Sequence, residues 1–197
     1  DKIGRIIITR QEELGNILAR EEGKTLAEAK GEAFRAGQFF QFYAAEALRR
    51  TGEQNLSTRP NIDIEIVREP IGVTVLITPW NFPIAIPAWK IAPALAHGNT
   101  VVLKPSEITP TSAYYLTKIM EEAGLPAGVF NLLVAKGEDV GEALVSHPAV
   151  AGISFTGSVP TGRKIAQGAI QHMKKIQMEM GGKNPMVIMD DADLDIA

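Results

Sequence analysis

The feature that most limits how this chain can fold is a series of short apolar runs that do not alternate with polar residues. They are "IGVTVLI" (Ile71–Ile77), "TVVLK" (Thr100–Lys104), "VFNLLV" (Val129–Val134), "VAGISF" (Val150–Phe155), "KKIQM" (Lys174–Met178) and "MVIMD" (Met186–Asp190). Helical patterns lie between most of them, at Ile84–Ala96, Thr111–Ala123, Val140–Ser146 and Thr161–Ala169. A strand that is apolar on both faces must be covered on both faces. The succession therefore predicts an α/β fold with a parallel sheet and helices on either side. In such sheets ligands bind outside the carboxyl ends of the strands, so the loops after these runs are the expected place for chemistry.

The segments before the first run read differently. Arg10–Glu22 and Thr25–Arg50 are helical patterns broken by Gly23. The second carries Phe34, Phe39, Phe40, Phe42 and Tyr43, read as an apolar face packing on the sheet. Residues 51–60 read as a polar connection. In "NIDIEIVRE", Ile62, Ile64 and Ile66 alternate with Asp63, Glu65 and Arg68, which predicts a half-exposed strand free to pair with a partner or another domain.

Composition narrows the function. The net charge is −3 and basic residues are scattered, so neither nucleic acid nor a membrane is expected as a partner. No apolar run is long enough to span a bilayer, and "DKIGRIIITRQEEL" is too briefly apolar for a signal peptide. A cytoplasmic protein is expected. The chain has no cysteine, which excludes disulfides, thiolate metal sites and thiol catalysis by its own residues. Three scattered histidines point to no metal site. The chain does not begin with Met, and "DDADLDIA" reads as a helix start with an Asp cap, so a piece of a longer polypeptide is expected.

Five loops could carry chemistry. "TPWNFP" (Thr78–Pro83) holds Trp80 and Asn81 between two prolines that fix φ and remove donors. A stiffened Asn amide suits an oxyanion; a rigid turn with Trp80 in the core explains the loop as well. "KPSE" (Lys104–Glu107) sets a cation and a carboxylate three apart, where a Glu can accept both ribose hydroxyls of a dinucleotide. A helix start with a solvated ion pair is the plainer reading. "TGSVPTG" (Thr156–Gly162) brings small residues to a helix start, suited to a pyrophosphate or simply a flexible turn. It is not a Walker loop, because Arg163 stands where Lys is needed and Lys164 where Ser or Thr is needed; "EEGKT" fails because Leu18 takes the first glycine's place. "AKGEDVG" supplies Gly137 and Gly141. "QMEMGGKNP" (Gln177–Pro185) sets Glu179 beside a Gly-Gly pair, as a general acid or base or as a surface carboxylate paired with Lys183.

In this order these motifs, with "GNTVVLKPSEITP", "GLPAGVFNLL", "HPAVAGISFTGS" and "EEGKTLAEAKGE", resemble the aldehyde dehydrogenase superfamily over essentially all 197 residues. The resemblance implies a Rossmann-like cofactor-binding domain at 1–51 and 71–197, incomplete at both ends, with 52–70 in an oligomerisation arm and the catalytic domain absent. It implies NAD(P)-dependent oxidation of an aldehyde to a carboxylic acid through a cysteine thiohemiacetal. Asn81 matches the residue whose amide, with the cysteine N–H, holds the oxyanion. Glu179 matches the base that activates water against the thioester; Met180 replaces the usual Leu, a volume-conserving change.

For the cofactor, Ile77, Thr78, Pro79 and Trp80 match the strand end along which the dinucleotide lies, and Lys104 and Glu107 the adenosine ribose clamp. Gly137 and Gly141 match glycines by the adenine, with Ala135 where glycine is frequent. Phe155, Gly157 and Ser158 match the pyrophosphate loop, Thr161 and Gly162 the helix start below it, and Gly181 a position near the nicotinamide. The family's cysteine lies downstream of "GGK", so the chain alone is expected to be inactive. The expected cofactor is NAD, with NADP possible, and the expected full-length enzyme is a homo-oligomer, dimer or tetramer. "NFPIAIPAWKIAPALAHGNTVV" is most like the branch acting on 2,5-dioxopentanoate (α-ketoglutaric semialdehyde), with succinate-semialdehyde enzymes next. The competing reading is a truncated, non-catalytic dinucleotide-binding module.

Overall fold

The computed structural model describes residues 1–49 and 52–196. Three helices come first: α1 (Lys2–Thr9), α2 (Gln11–Glu22) and α3 (Leu26–Glu46), the last followed by a 3-10 turn at Ala47–Arg49. A separate antiparallel ribbon follows, β1 (Glu53–Leu56) with β2 (Asp63–Ile66). Then strands and helices alternate: β3 (Val73–Ile77), α4 (Ala85–Ala96), β4 (Thr100–Lys104), α5 (Pro110–Glu122), β5 (Phe130–Leu132), α6 (Gly137–Ser146), β6 (Val150–Gly157), α7 (Val159–Gln171) and β7 (Lys175–Met180).

The main sheet has the order β5-β4-β3-β6-β7, and every pairing in it is parallel, as the apolar runs predict. The chain lays β3 in the middle, winds outward through β4 to β5, then returns to place β6 on the other side of β3. Between β3 and β6 the winding reverses, and a crevice opens there at the carboxyl ends. The absence of alternation has a direct cause. Leu76, Val101 and Leu103 enter a core shared with α1 to α5, whereas Val75, Ile153 and Phe155 enter a second core under α6 and α7.

Local signals set the helix boundaries. Gly23 ends α2 at φ 95°, a left-handed conformation that glycine adopts without steric cost. Thr25 and Glu28 form a reciprocal capping box at the start of α3. Among the described residues no helix is long and apolar enough to cross a membrane.

Several expectations are corrected. The helical pattern expected to begin at Arg10 is preceded by another helix, α1, in which Ile7 is fully buried. The aromatic helix α3 packs against α1, α2 and α4 rather than on the sheet, because α4 and α5 already cover that face. Only Phe40 of its phenylalanines is buried; Phe39 meets Trp89 edge to face at 5.7 Å. The polar stretch expected to be a connection contains β1, paired with β2 through backbone hydrogen bonds that do not depend on side-chain polarity. Met186–Asp190 forms no strand: the main sheet ends at β7, and without a neighbouring strand the segment's backbone groups gain nothing from extension. From Asp190 to Ile196 the chain forms turns, closed by Ala192 N–H on the Met189 carbonyl and Ile196 N–H on the Asp193 carbonyl, and the expected Asp cap is present as Asp195 N–H on Asp193 Oδ1.

Candidate functional site

A groove of about 1020 Å3 lies beside the carboxyl ends of β3 and β4 and runs between α6 and α7. It is comparable to ligand pockets of roughly 300–1,000 Å3. Six of the expected residues line it: Ile77, Lys104, Glu107, Gly137, Gly141 and Thr161. Lys104 is buried at the end of β4, and its Nζ donates to Glu107 Oε2 at 2.9 Å. That hydrogen bond, then a bond from the Glu107 backbone and the charges of Lys104 and Lys136, holds the Glu107 carboxyl below the usual carboxylate range. The Lys104–Glu107 pair is thus an ionised carboxylate fixed by a buried cation. Gly141 has open space where a Cβ would stand, and a Cβ at Gly137 would come 3.9 Å from Lys104 Nζ. Side chains at these glycines would project into the groove, so the site fits a flat, extended group lying against the backbone.

The other expected cofactor residues are not among those lining this groove. Phe155 is buried on the α7 side of β6 and forms part of the underlying core. A Cβ at Gly157 would stand 2.7 Å from the Phe155 ring, and one at Gly162 only 2.5 Å from Met180 Sδ. Gly162 therefore lets the α7 start pack closely on the sheet, and Gly157 leaves room for the Phe155 ring on its own strand. Ser158 caps α7, its Oγ accepting the Thr161 N–H at 3.4 Å. Pro160 contributes no N–H, so an anion at this helix start meets fewer free amides than the small-residue spelling suggests. Thr78 is buried after β3, Pro79 is half-buried, and Trp80 is exposed rather than in the core. Gly181 is exposed with nothing near its Cβ position.

Sequence reasoning missed Lys136, Lys164, Val145 and Ile165, which also line the groove. The two apolar residues follow ordinary helical spacing and spell no motif.

Glu179 and Asn81 occupy the carboxyl edge but not the groove walls. Glu179 is the penultimate residue of β7 and faces α4, since Met178 beside it faces the α7 core. It lines a second cleft of about 450 Å3 with Trp89, Lys90, Ser154 and Gln177. Its Oε2 accepts from Thr156 Oγ1 at 2.7 Å and lies 3.9 Å from Lys90 Nζ, so Lys183 is not its partner. Burial pushes the Lys90 ammonium down from its usual range, opposed by Glu179. Lys90 also donates to Ser154 Oγ at 2.8 Å and Gln177 Oε1 at 3.2 Å. Asn81 is exposed in the loop after β3, two strands from β7 across β6, roughly 10 Å in strand spacings.

The loop bearing Asn81 is held from below. Lys24 Nζ donates to the Asn81 carbonyl at 2.8 Å and to the buried Glu32 carboxylate at 2.6 Å. The other Glu32 oxygen accepts the Ile84 and Ala85 N–H groups at 2.9 and 3.0 Å, capping α4. No sequence motif announced either residue beyond the capping box next to them.

A sequence profile of the aldehyde dehydrogenase family matches residues 1–197. The α-ketoglutaric semialdehyde dehydrogenase of Bacillus subtilis is 47% identical over 196 residues, covering 100% of this chain and 40% of that protein. The betaine aldehyde dehydrogenase of the same organism is also 47% identical, covering 100% of this chain and 40% of its own length. Among solved structures, the betaine aldehyde dehydrogenase of Staphylococcus aureus in complex with NAD+ superposes with a TM-score of 0.92 at 40% identity, over 99% of this chain and 39% of that one. An NADP-dependent enzyme of E. coli gives 0.93 at 41% identity, over 98% of this chain and 40% of that one. The chain thus spans about 40% of the length of the relatives it matches. On this full-length profile match and the shared sheet, the chain belongs to the aldehyde dehydrogenase family.

Proposed function

We propose that this chain supplies the cofactor-binding part of an enzyme that oxidises an aldehyde to a carboxylic acid with NAD or NADP. The observation that carries the reading is the groove beside the carboxyl ends of β3 and β4, where the Lys104–Glu107 pair and the bare backbone of Gly137 and Gly141 come together. When bound, the dinucleotide supplies the hydride acceptor. This chain's residues hold and orient it: Glu107 at the ribose hydroxyls, Ile77, Thr78, Pro79 and Trp80 along the strand end, and Ser158, Thr161 and Gly162 by the pyrophosphate. Gly157 and Phe155 support that loop, and Gly181 leaves room beside the nicotinamide.

Asn81 is proposed to donate its amide to the oxyanion, and Glu179 to take a proton from the water that releases the acid. Both stand at the carboxyl edge, and the nucleophile they serve is a cysteine outside this chain. The substrate class proposed is a semialdehyde, supported by the likeness to the B. subtilis enzyme and by the 2,5-dioxopentanoate dehydrogenase of Saccharolobus solfataricus at 44% identity, over 100% of this chain and 41% of that one. The Glu107 carboxylate favours NAD by repelling a 2′-phosphate. The β1–β2 ribbon is proposed as part of an oligomerisation arm.

Calorimetric titration tests the cofactor site. Micromolar NAD binding that weakens at least tenfold in Glu107→Ala supports it, and no binding by the unsubstituted chain refutes it. The competing reading is a non-catalytic dinucleotide-binding module. It gains if the whole polypeptide binds NAD but turns over no aldehyde in a substrate panel.

A further inference from the structure

From the geometry beneath the loop after β3 we infer that Lys24 and Glu32 form a clamp that positions Asn81 for its part in the reaction. The inference rests on the oxyanion role proposed for Asn81.

Three independent restraints meet at this clamp. The Glu32 side chain is 1% exposed and Lys24 11%, so the pair is shielded from water. Glu32 uses both oxygens, one on the first two N–H groups of α4 and the other on Lys24. Lys24 spends its ammonium on Glu32, on the Asn81 carbonyl and on the Phe82 ring, whose centroid lies 4.1 Å away. The carbonyl bond fixes the peptide that follows Asn81. The cap fixes where the chain enters the helix. Pro79 and Pro83 fix φ on either side. The Asn81 side chain takes no share in these bonds and the residue is exposed, so its amide is left available above a restrained backbone.

A buried ion pair is weak evidence of stability by itself, because desolvation offsets much of the attraction. Its usefulness here is geometric. A hydrogen-bond donor for an oxyanion works only when placed before the charge develops. Misplacement by about 1 Å can cost on the order of 100-fold in rate. Lys24 and Glu32 touch neither groove nor second cleft among the described lining residues. They are positioning residues.

The test is a double-mutant cycle in the whole enzyme. Glu32→Gln keeps an acceptor for the α4 amides and removes the charge; Lys24→Arg keeps the charge and changes its reach. The expected result is a fall in kcat of about 10- to 100-fold in Glu32→Gln. NAD affinity should stay within about twofold, since the groove residues are untouched. Lys24→Arg should recover part of the rate lost in Lys24→Met. Asn81→Ala should lose about 100- to 1,000-fold, as for removal of an oxyanion donor. Glu32→Gln should then add little to Asn81→Ala. If Glu32→Gln lowers kcat by the same factor with or without Asn81, the clamp is refuted and the oxyanion role stands. An unchanged kcat in Asn81→Ala refutes the oxyanion role, and the clamp's purpose with it. Melting temperatures, measured alongside, identify any variant that fails to fold, and Lys24→Arg then decides the matter.

Discussion

At the scale of single residues, the glycines beside the α7 start also have a packing reason to lack a side chain. Gly162 has Met180 Sδ and the Phe155 ring where its Cβ would be. Gly162→Ala is expected to cost about 1–3 kcal/mol through overpacking, measured by urea unfolding. The Met180 side chain is flexible, and Met180→Ala should recover part of that loss. Glu107 carries a pH signature. Its carboxyl lies below the ordinary value of 4.5 because it accepts from Lys104. A depressed value in the folded state means the ionised pair contributes above the unfolded value and is lost as pH falls through the folded one. NAD affinity should therefore hold on acidification to about pH 5 and fall only below the ordinary glutamate range, as titrations across that range would show. A decline already under way near neutrality would contradict this. The Lys104–Glu107 pair was legible because its members are three apart on one loop. Lys24 and Asn81, 57 residues apart, meet only through packing, and no local pattern encodes that meeting.

At the scale of elements, two of the helices that cover the sheet, α4 and α5, are capped from outside. Glu21 of α2 accepts the Thr111 and Ser112 N–H groups at the start of α5, the latter at 2.8 Å, as Glu32 does for α4. Carboxylates there complement both the unpaired N–H groups and the positive end of the helix. Glu21→Ala should destabilise the chain by about 1–2 kcal/mol, and Glu21→Gln by less, in thermal or urea unfolding. The β1–β2 ribbon is the opposite case. Its four paired positions on each strand are all exposed, with Leu56, Ile64 and Ile66 among them. An isolated two-stranded ribbon is marginal in water. If it serves assembly, Ile64→Lys should shift the whole enzyme to a smaller species in sedimentation without changing NAD affinity; an unchanged species argues against an arm. The alternation that marks β2 was legible. The pairing strand β1 was not, since "EQNL" has no apolar period.

At the scale of the whole molecule, the sheet gathers loops from distant parts of the chain onto one edge. The chain has no thiol, so a thiohemiacetal cannot form on it. The isolated chain is expected to bind NAD yet produce no NADH with any aldehyde, and absorbance of the reduced cofactor would reveal turnover if this is wrong. The parallel, doubly covered sheet could be read directly from apolar runs without alternation, because a strand apolar on both sides has no solvent face to offer. Ile77 and Lys104 could be read as groove residues because each sits at the end of such a run. Other features depend on register and packing. Glu179 faces α4 and Lys90 rather than the groove, and a one-residue shift of β7 against β6 would reverse that. The separation of the strands into two cores, the burial of Lys90 and the hold of Lys24 on Asn81 arise only when elements far apart in the chain exclude water between them.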